Sequence, residues 1–158
     1  MTAVDARLKW PNDLLQSGSK LGGILCEAAG DAVVIGIGIN VSAAPGDLPS
    51  PAPGSATSLR AAGAASVDPC RLLAGILAEL ERWYAGWRQT EGDAERCGLR
   101  GAYTRLCDTI GRQVRVELPG GQLLSGLAAG VDPGGRLLVR VPPAAEIPVS
   151  AGDVVHLR

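Results

Sequence analysis

Apolar positions along the chain change period twice. Up to about residue 60 they form short runs rich in β-branched residues. Lys20 to Ala28 reads Lys-Leu-Gly-Gly-Ile-Leu-Cys-Glu-Ala, and Ala32 to Val41 reads Ala-Val-Val-Ile-Gly-Ile-Gly-Ile-Asn-Val. Runs of this length and composition predict strands, and the Ala-Gly-Asp between them suits a hairpin connection. The second run is apolar on both alternations until its glycines, which predicts a central strand. Ala43 to Gly54 (AAPGDLPSPAPG) carries four prolines and predicts an exposed loop without regular structure.

The middle of the chain turns helical. Asp68-Pro69 is a helix start, because Asp caps free amides and Pro tolerates the first helical position. Leu72, Leu73, Ile76, Leu77, Leu80, Trp83, Tyr84 and Trp87 then recur at helical spacing, and Gly92 ends the run. That stripe is expected to be core. A shorter helix is expected over Ala94 to Leu106, interrupted by Gly98 and Gly101. From Arg112 the period returns to strands, over Gln113–Leu118, Gln122–Val131, Arg136–Val141, Glu146–Pro148 and Asp153–Leu157. Pro119-Gly120-Gly121 and Asp132-Pro133-Gly134-Gly135 are turn sequences. Five strands with connections this short suggest a small barrel.

Composition narrows the class. Of 158 residues 46% are apolar, yet there is no Phe and only three Trp and two Tyr, so a core must rest on Leu, Val, Ile and Ala. Fifteen basic against sixteen acidic residues give a net charge of −1, without the basic excess of a nucleic-acid or membrane-surface binder. No apolar run approaches the ~20 residues of a membrane span. Four cysteines at 26, 70, 97 and 107 form no C-x-x-C pair, and one His leaves no His-rich zinc site. A reducing cytoplasm is the expected compartment.

Three clusters in the first 41 residues could carry chemistry. Lys9-Trp10-Pro11-Asn12-Asp13 taken alone is a turn, since Pro fixes φ and Asn and Asp bond to nearby backbone. Lys20-Leu21-Gly22-Gly23-Ile24-Leu25 places two glycines inside an apolar strand, a mark of close approach by a ligand or another backbone. Gly36-Ile37-Gly38-Ile39-Asn40-Val41 again punctuates a strand with small residues and ends it on an amide. Gly36-x-Gly38 lacks the third glycine of a dinucleotide fingerprint, and no phosphate-binding P-loop sequence occurs. His156, in the last strand, reads as structural, as does Trp10.

In this order and spacing the three clusters resemble the biotin–protein ligase family. So do Ala56-Thr57-Ser58-Leu59, the Trp-containing helix, and a terminal segment opening Ile110-Gly111-Arg112 and closing Ser150-Ala151-Gly152-Asp153-Val154. The resemblance implies an α+β fold. Residues 1–108 would hold a partial mixed or antiparallel sheet with helices, like that of class II aminoacyl-tRNA synthetases and biotin synthetases. Residues 109–158 would form a small SH3-like β-barrel. It implies an enzyme that joins biotin to ATP, with Mg²⁺, and passes the biotinyl group to a lysine of the biotin carboxyl carrier domain of an acyl-CoA carboxylase. Neither nucleic acid nor membrane would be a partner. Lys20 would reach both the biotin carboxylate and the α-phosphate, as a flexible point charge suits. Lys9, Asn12, Asp13 and Asn40 would line the nucleotide side, with no direct metal ligand, while Gly22, Gly23, Gly36 and Gly38 would lie beside biotin.

Family members carry a long segment upstream of Lys-Trp-Pro-Asn-Asp, including a Gly- and Arg-rich loop that closes over the adenylate. Here nine residues precede Trp10. The expectation is therefore a catalytically incomplete chain whose sheet shows an unprotected edge and an uncovered apolar face. The alternative is a non-catalytic module that binds biotin or nucleotide, or docks a carrier domain.

Overall fold

A computed structural model describes residues 4–44, 47–48, 55–65, 67–143 and 145–157. The chain divides into two compact units, one of residues 1–8 with 12–79, the other of residues 9–11 with 80–158. Of the proline-rich stretch 43–54, most lies outside the described residues.

The first unit is built on a four-stranded sheet of order β1-β2-β3-β4: β1 Ala6–Lys9, β2 Asp13–Gln16, β3 Ser19–Ala29 and β4 Ala32–Ile39. β3 and β4 pair antiparallel from Gly22↔Ile39 to Ala29↔Ala32, so the expected hairpin closes on Gly30-Asp31. Gly30 takes φ 60°, a conformation that glycine adopts without strain. β2 pairs antiparallel with β3 through a bulge: Leu14 faces Gly22 but Leu15 faces Lys20, leaving Leu21 as the extra residue.

β4 corrects the expectation of a central strand. It lies at the sheet's edge, and Val33, Val34, Ile35 and Ile37 are exposed, Val33 by 61%. An all-apolar run signals that both faces need cover, but it does not supply the cover. The uncovered apolar face anticipated from the sequence is thus present.

α1, Pro69–Gln89, begins where the sequence places it. Asp68 Oδ1 accepts the Cys70 N–H at 2.9 Å, a side-chain cap on the first turn. Past its end Gly92 stands at φ 87° with its N–H on the Trp87 carbonyl at 2.9 Å. The expectation that the stripe from Leu72 to Trp87 is core fails, because no residue of α1 is buried and Leu73, Leu77 and Tyr84 are more than half exposed. Helical spacing defines one apolar face without defining what it packs on.

The second unit holds α2, Leu99–Leu106, and an antiparallel sheet of order β8-β7-β6-β5-β9. Its strands are β5 Gln113–Glu117, β6 Leu123–Val131, β7 Leu137–Val141, β8 Ala145–Val149 and β9 Asp153–His156, close to those expected. α2 starts later than Ala94 because Gly98 sits at φ 78°, outside helical geometry. β5 shows the half-buried alternation plainly: Val114 and Val116 are fully buried, and Gln113, Arg115 and Glu117 are exposed. Val114, Val116, Ala128, Leu137 and Val139 form the centre of the core, with Cys107 and Trp10 added to it. In the turn after β6, Asp132 Oδ1 accepts the N–H groups of Gly134 and Arg136, both at 2.9 Å.

Candidate active site

Asp13 opens β2, Lys20 stands at the start of β3, and the bulge between the strands brings them together. Lys20 Nζ lies 2.5 Å from Asp13 Oδ1, with Asp13 mostly covered and the Lys20 side chain 49% exposed. Directly paired residues of an antiparallel sheet share a face, and the register runs Asp13↔Gly23 and Gly23↔Gly38, with Leu25↔Gly36 next along. A Cβ placed on Gly23 would be 3.7 Å from both Asp13 Oδ1 and Lys20 Cε. The ion pair therefore stands over Gly23, on a row continued by the bare backbone of Gly38 and Gly36. A half-exposed ammonium, oriented by one carboxylate above a floor without side chains, can meet an anion whose flat remainder lies along the strands.

Gly22 serves differently. It faces the opposite side of the sheet, and a Cβ there would lie 2.2 Å from the Gly38 carbonyl oxygen and 3.2 Å from Ile39 Cα. Its missing side chain lets two backbones approach, whereas Gly36 has nothing nearer than 3.7 Å and Gly38 nothing nearer than 4.0 Å. Asn12 is exposed, and its carbonyl takes the Ile24 N–H at 2.8 Å.

Asn40 is engaged in bracing. Its side-chain amide donates to the Thr57 carbonyl at 2.9 Å, its N–H to the Leu21 carbonyl at 2.9 Å, and its own carbonyl accepts from Leu59 N–H at 2.9 Å. The same segment grips Lys20, whose N–H donates to the Ser55 carbonyl at 2.7 Å and whose carbonyl accepts from Thr57 N–H at 2.8 Å. Ser58, with no exposed surface, donates its hydroxyl to the Ala43 carbonyl at 2.6 Å and accepts the Ala61 N–H at 2.9 Å. Residues 55–59 thus position both Lys20 and Asn40. In the sequence Ala56-Thr57-Ser58-Leu59 stands out only through its resemblance to the family; two hydroxyl residues between apolar ones are the local signal of this bracing role.

Lys9 and Trp10 belong to the second unit. Trp10 is 3% exposed, donating its backbone N–H to Thr109 Oγ1 at 3.1 Å and its indole N–H to the Gly135 carbonyl at 3.0 Å. The structural role expected of Trp10 is what the structure shows. That unit also has an open cavity of about 270 Å³ lined by Trp10, Pro11, Arg100 and Tyr103 among others. Arg100 there is occupied by Glu95 and the Val131 carbonyl. Burial, then Cys107, pushes the Tyr103 phenol well above its ordinary range, so neither group is poised for proton transfer.

Among the described residues no three His, Cys, Asp or Glu side chains converge on a metal site. None of the four cysteines is in a disulfide. Among the described residues no helix is long and apolar enough to cross a membrane.

An α+β chain with two antiparallel sheets, carrying a lysine over a glycine floor, defines a class that comparison with known proteins makes specific. Residues 1–41 match the Biotin/lipoate A/B protein ligase family, and residues 109–157 match the Biotin protein ligase C terminal domain. The Mycobacterium tuberculosis "Biotin--[acetyl-CoA-carboxylase] ligase" is 45% identical over 151 residues, 96% of this chain and 53% of that protein. The enzyme of the same name from Paracoccus denitrificans is 33% identical, over 89% of this chain and 61% of that one. The Aquifex aeolicus biotin protein ligase in complex with biotin and ATP superimposes with a TM-score of 0.81 at 22% identity, covering 99% of this chain and 64% of that chain. The chain belongs to the biotin protein ligase family. It spans about half to three-fifths of the length of these curated relatives.

Proposed function

We propose that this chain carries part of the site of a biotin–protein ligase, acting in two steps. In the first a biotin carboxylate oxygen attacks the α-phosphorus of ATP, forming biotinyl-adenylate as the bond to pyrophosphate breaks. In the second a lysine amine of a carrier domain attacks the acyl carbon and AMP leaves. The observation that carries this reading is the Lys20–Asp13 pair over Gly23, in register with Gly38. Two anions must meet in the first step, so a fixed cation placed where charge develops is the main contribution such a site can make. Lys20 is the group that spans carboxylate and α-phosphate, and Asp13 orients it.

Lys9, Asn12, Asp13 and Asn40 are assigned to the nucleotide side, with Gly23, Gly36 and Gly38 against biotin. Gly22 acts through the spacing of β3 and β4. Mg²⁺ is assigned to enter with ATP as part of the substrate, held mainly by phosphate oxygens and water. The acceptor is the carrier domain of an acyl-CoA carboxylase, by the names of the M. tuberculosis and P. denitrificans relatives. The unpaired cysteines support a cytoplasmic location. We assign residues 1–108 to the catalytic domain and 109–158 to an SH3-like barrel, supported by its five short antiparallel strands.

Biotin-dependent exchange of labelled pyrophosphate into ATP tests this reading. Lys20→Ala is expected to abolish the exchange and weaken binding of biotinyl-adenylate. A variant that exchanges as fast as the unaltered protein, or binds the adenylate as tightly, overturns the assignment and leaves a docking module.

A further inference from the structure

On the reading that Lys9-Trp10-Pro11-Asn12-Asp13 borders an adenylation site, we propose that Thr109 and His156 are positioning residues for this segment. They form a hydrogen-bond chain, buried at Thr109 and part-buried at His156, that holds the backbone at Trp10 and ties it to the protonation of His156. Trp10 N–H donates to Thr109 Oγ1 at 3.1 Å, and His156 Nε2 lies 3.1 Å from the same oxygen. Thr109 has no exposed surface.

A hydroxyl has one hydrogen and two lone pairs, and a backbone N–H only donates. Trp10 therefore takes one lone pair of Thr109, which leaves a second lone pair and the hydroxyl hydrogen for Nε2. We take Nε2 as the acceptor, in the neutral ring with its hydrogen on Nδ1, because an Nε2–H donor would leave the hydroxyl hydrogen of fully buried Thr109 without a partner. Protonation reverses the bond: the oxygen would face two N–H donors, and the hydroxyl hydrogen would have to turn away where no water reaches. A buried donor without an acceptor is costly.

The charges around the ring act in the same sense on balance. Burial first, then Arg112 and Lys9, hold the imidazole below its ordinary value near 6.5, and Asp108 opposes them. On the adjacent strand the residue opposite His156 is Val114, which is apolar. The chain of bonds is thus complete at neutral pH and disrupted in acid. An imidazolium would also repel Lys9, the cation assigned to the nucleotide side.

His156 is the sole histidine, so its ring resonance is unambiguous. The test follows that resonance and the Trp10 backbone amide by NMR across pH, on the full 158-residue chain. We expect the Trp10 amide to shift with the midpoint of the ring. In His156→Gln, whose side-chain oxygen can accept from Thr109 without titrating, the amide shift should be flat. In Thr109→Val the ring should still titrate, at a higher midpoint, while the amide no longer follows; Thr109→Ser should restore the coupling. A Trp10 amide that ignores His156, or follows it equally in Thr109→Val, overturns the chain of bonds. For the reaction, the acid limb of pyrophosphate exchange should lose its His156 inflection in His156→Gln; an unchanged profile overturns the positioning role. Absence of exchange at every pH would remove the adenylation reading, and the positioning role with it, whereas the amide titration judges the hydrogen bonds separately.

Discussion

Three glycines of similar appearance in sequence, Gly22, Gly36 and Gly38, are expected to separate into two kinds when each is replaced by alanine. At Gly22 the new Cβ would sit 2.2 Å from the Gly38 carbonyl oxygen and 3.2 Å from Ile39 Cα, both backbone atoms that no rotamer change can move. Overpacking a well-ordered interior costs about 1–3 kcal/mol, and here the β3–β4 ladder itself must give. At Gly36 the nearest atom is the Leu25 carbonyl oxygen at 3.7 Å, ordinary van der Waals contact. There the lost flexibility of the unfolded chain favours alanine by about 0.4–1 kcal/mol. Native-state amide exchange measures the ladder locally, at the Asn40 amide bonded to Leu21 and the Ile24 amide bonded to Asn12. A loss of ~1–3 kcal/mol appears as a fall in protection of about 5- to 150-fold in Gly22→Ala. Gly36→Ala and Gly38→Ala should keep protection yet bind biotin more weakly, because their methyl groups would project onto the face that carries Lys20. Unchanged protection in Gly22→Ala, or an equal fall in Gly36→Ala, would refute the division.

Other outcomes follow from the same geometry. Trp10→Phe keeps most of the packing but strands the Gly135 carbonyl, for a loss of about 1 kcal/mol, whereas Trp10→Ala should cost about 3–5 kcal/mol; chemical denaturation followed at the second unit distinguishes them. Ser58→Ala leaves the Ala43 carbonyl and the Ala61 amide without their partner, and about 1–3 kcal/mol of local stability should be lost, visible as faster exchange at the Leu59 amide. His156 titrates below its ordinary 6.5 in the folded state, so the unfolded chain binds the proton more readily. Its contribution to stability should be complete above 6.5 and be lost as pH falls towards the folded value; denaturation midpoints that stay level in that window, or match those of His156→Gln, would contradict this. The exposed β4 edge with Val33, Ile35 and Ile37 predicts concentration-dependent association in sedimentation, reduced by Ile35→Lys.

The legible parts of the fold were those whose causes are local. The strands of the second unit follow from strict alternation, as in Gln113 to Glu117, and from turns such as Asp132-Pro133-Gly134-Gly135 whose side-chain and backbone bonds close within four residues. The start of α1 at Pro69 rests on Asp68 two residues from the amide it caps. What escaped was each feature that depends on distant partners. The apolar runs of β4 and α1 announced a need for burial, yet their exposure is settled by what lies against them, and nothing in a run encodes that. The pairing of Lys20 with Asp13 depends on a bulge at Leu21, a register choice that hydrophobic pattern leaves open.

The five residues Lys9 to Asp13 show most clearly why local reading reached the family before it reached the roles. Read alone they form a turn. In the fold Trp10 is fixed by Thr109 and Gly135, 99 and 125 residues away in sequence, while Asp13 is fixed on the Lys20 ammonium seven residues on. Neighbouring residues of one short segment thus answer to different partners, Trp10 to the core and to Thr109 and Gly135, Asp13 to the Lys20 ammonium. Trp10 and Asp13 are therefore constrained for different reasons, one by burial and hydrogen bonds, the other by charge. No single residue of the segment, taken by its chemistry alone, points to adenylation.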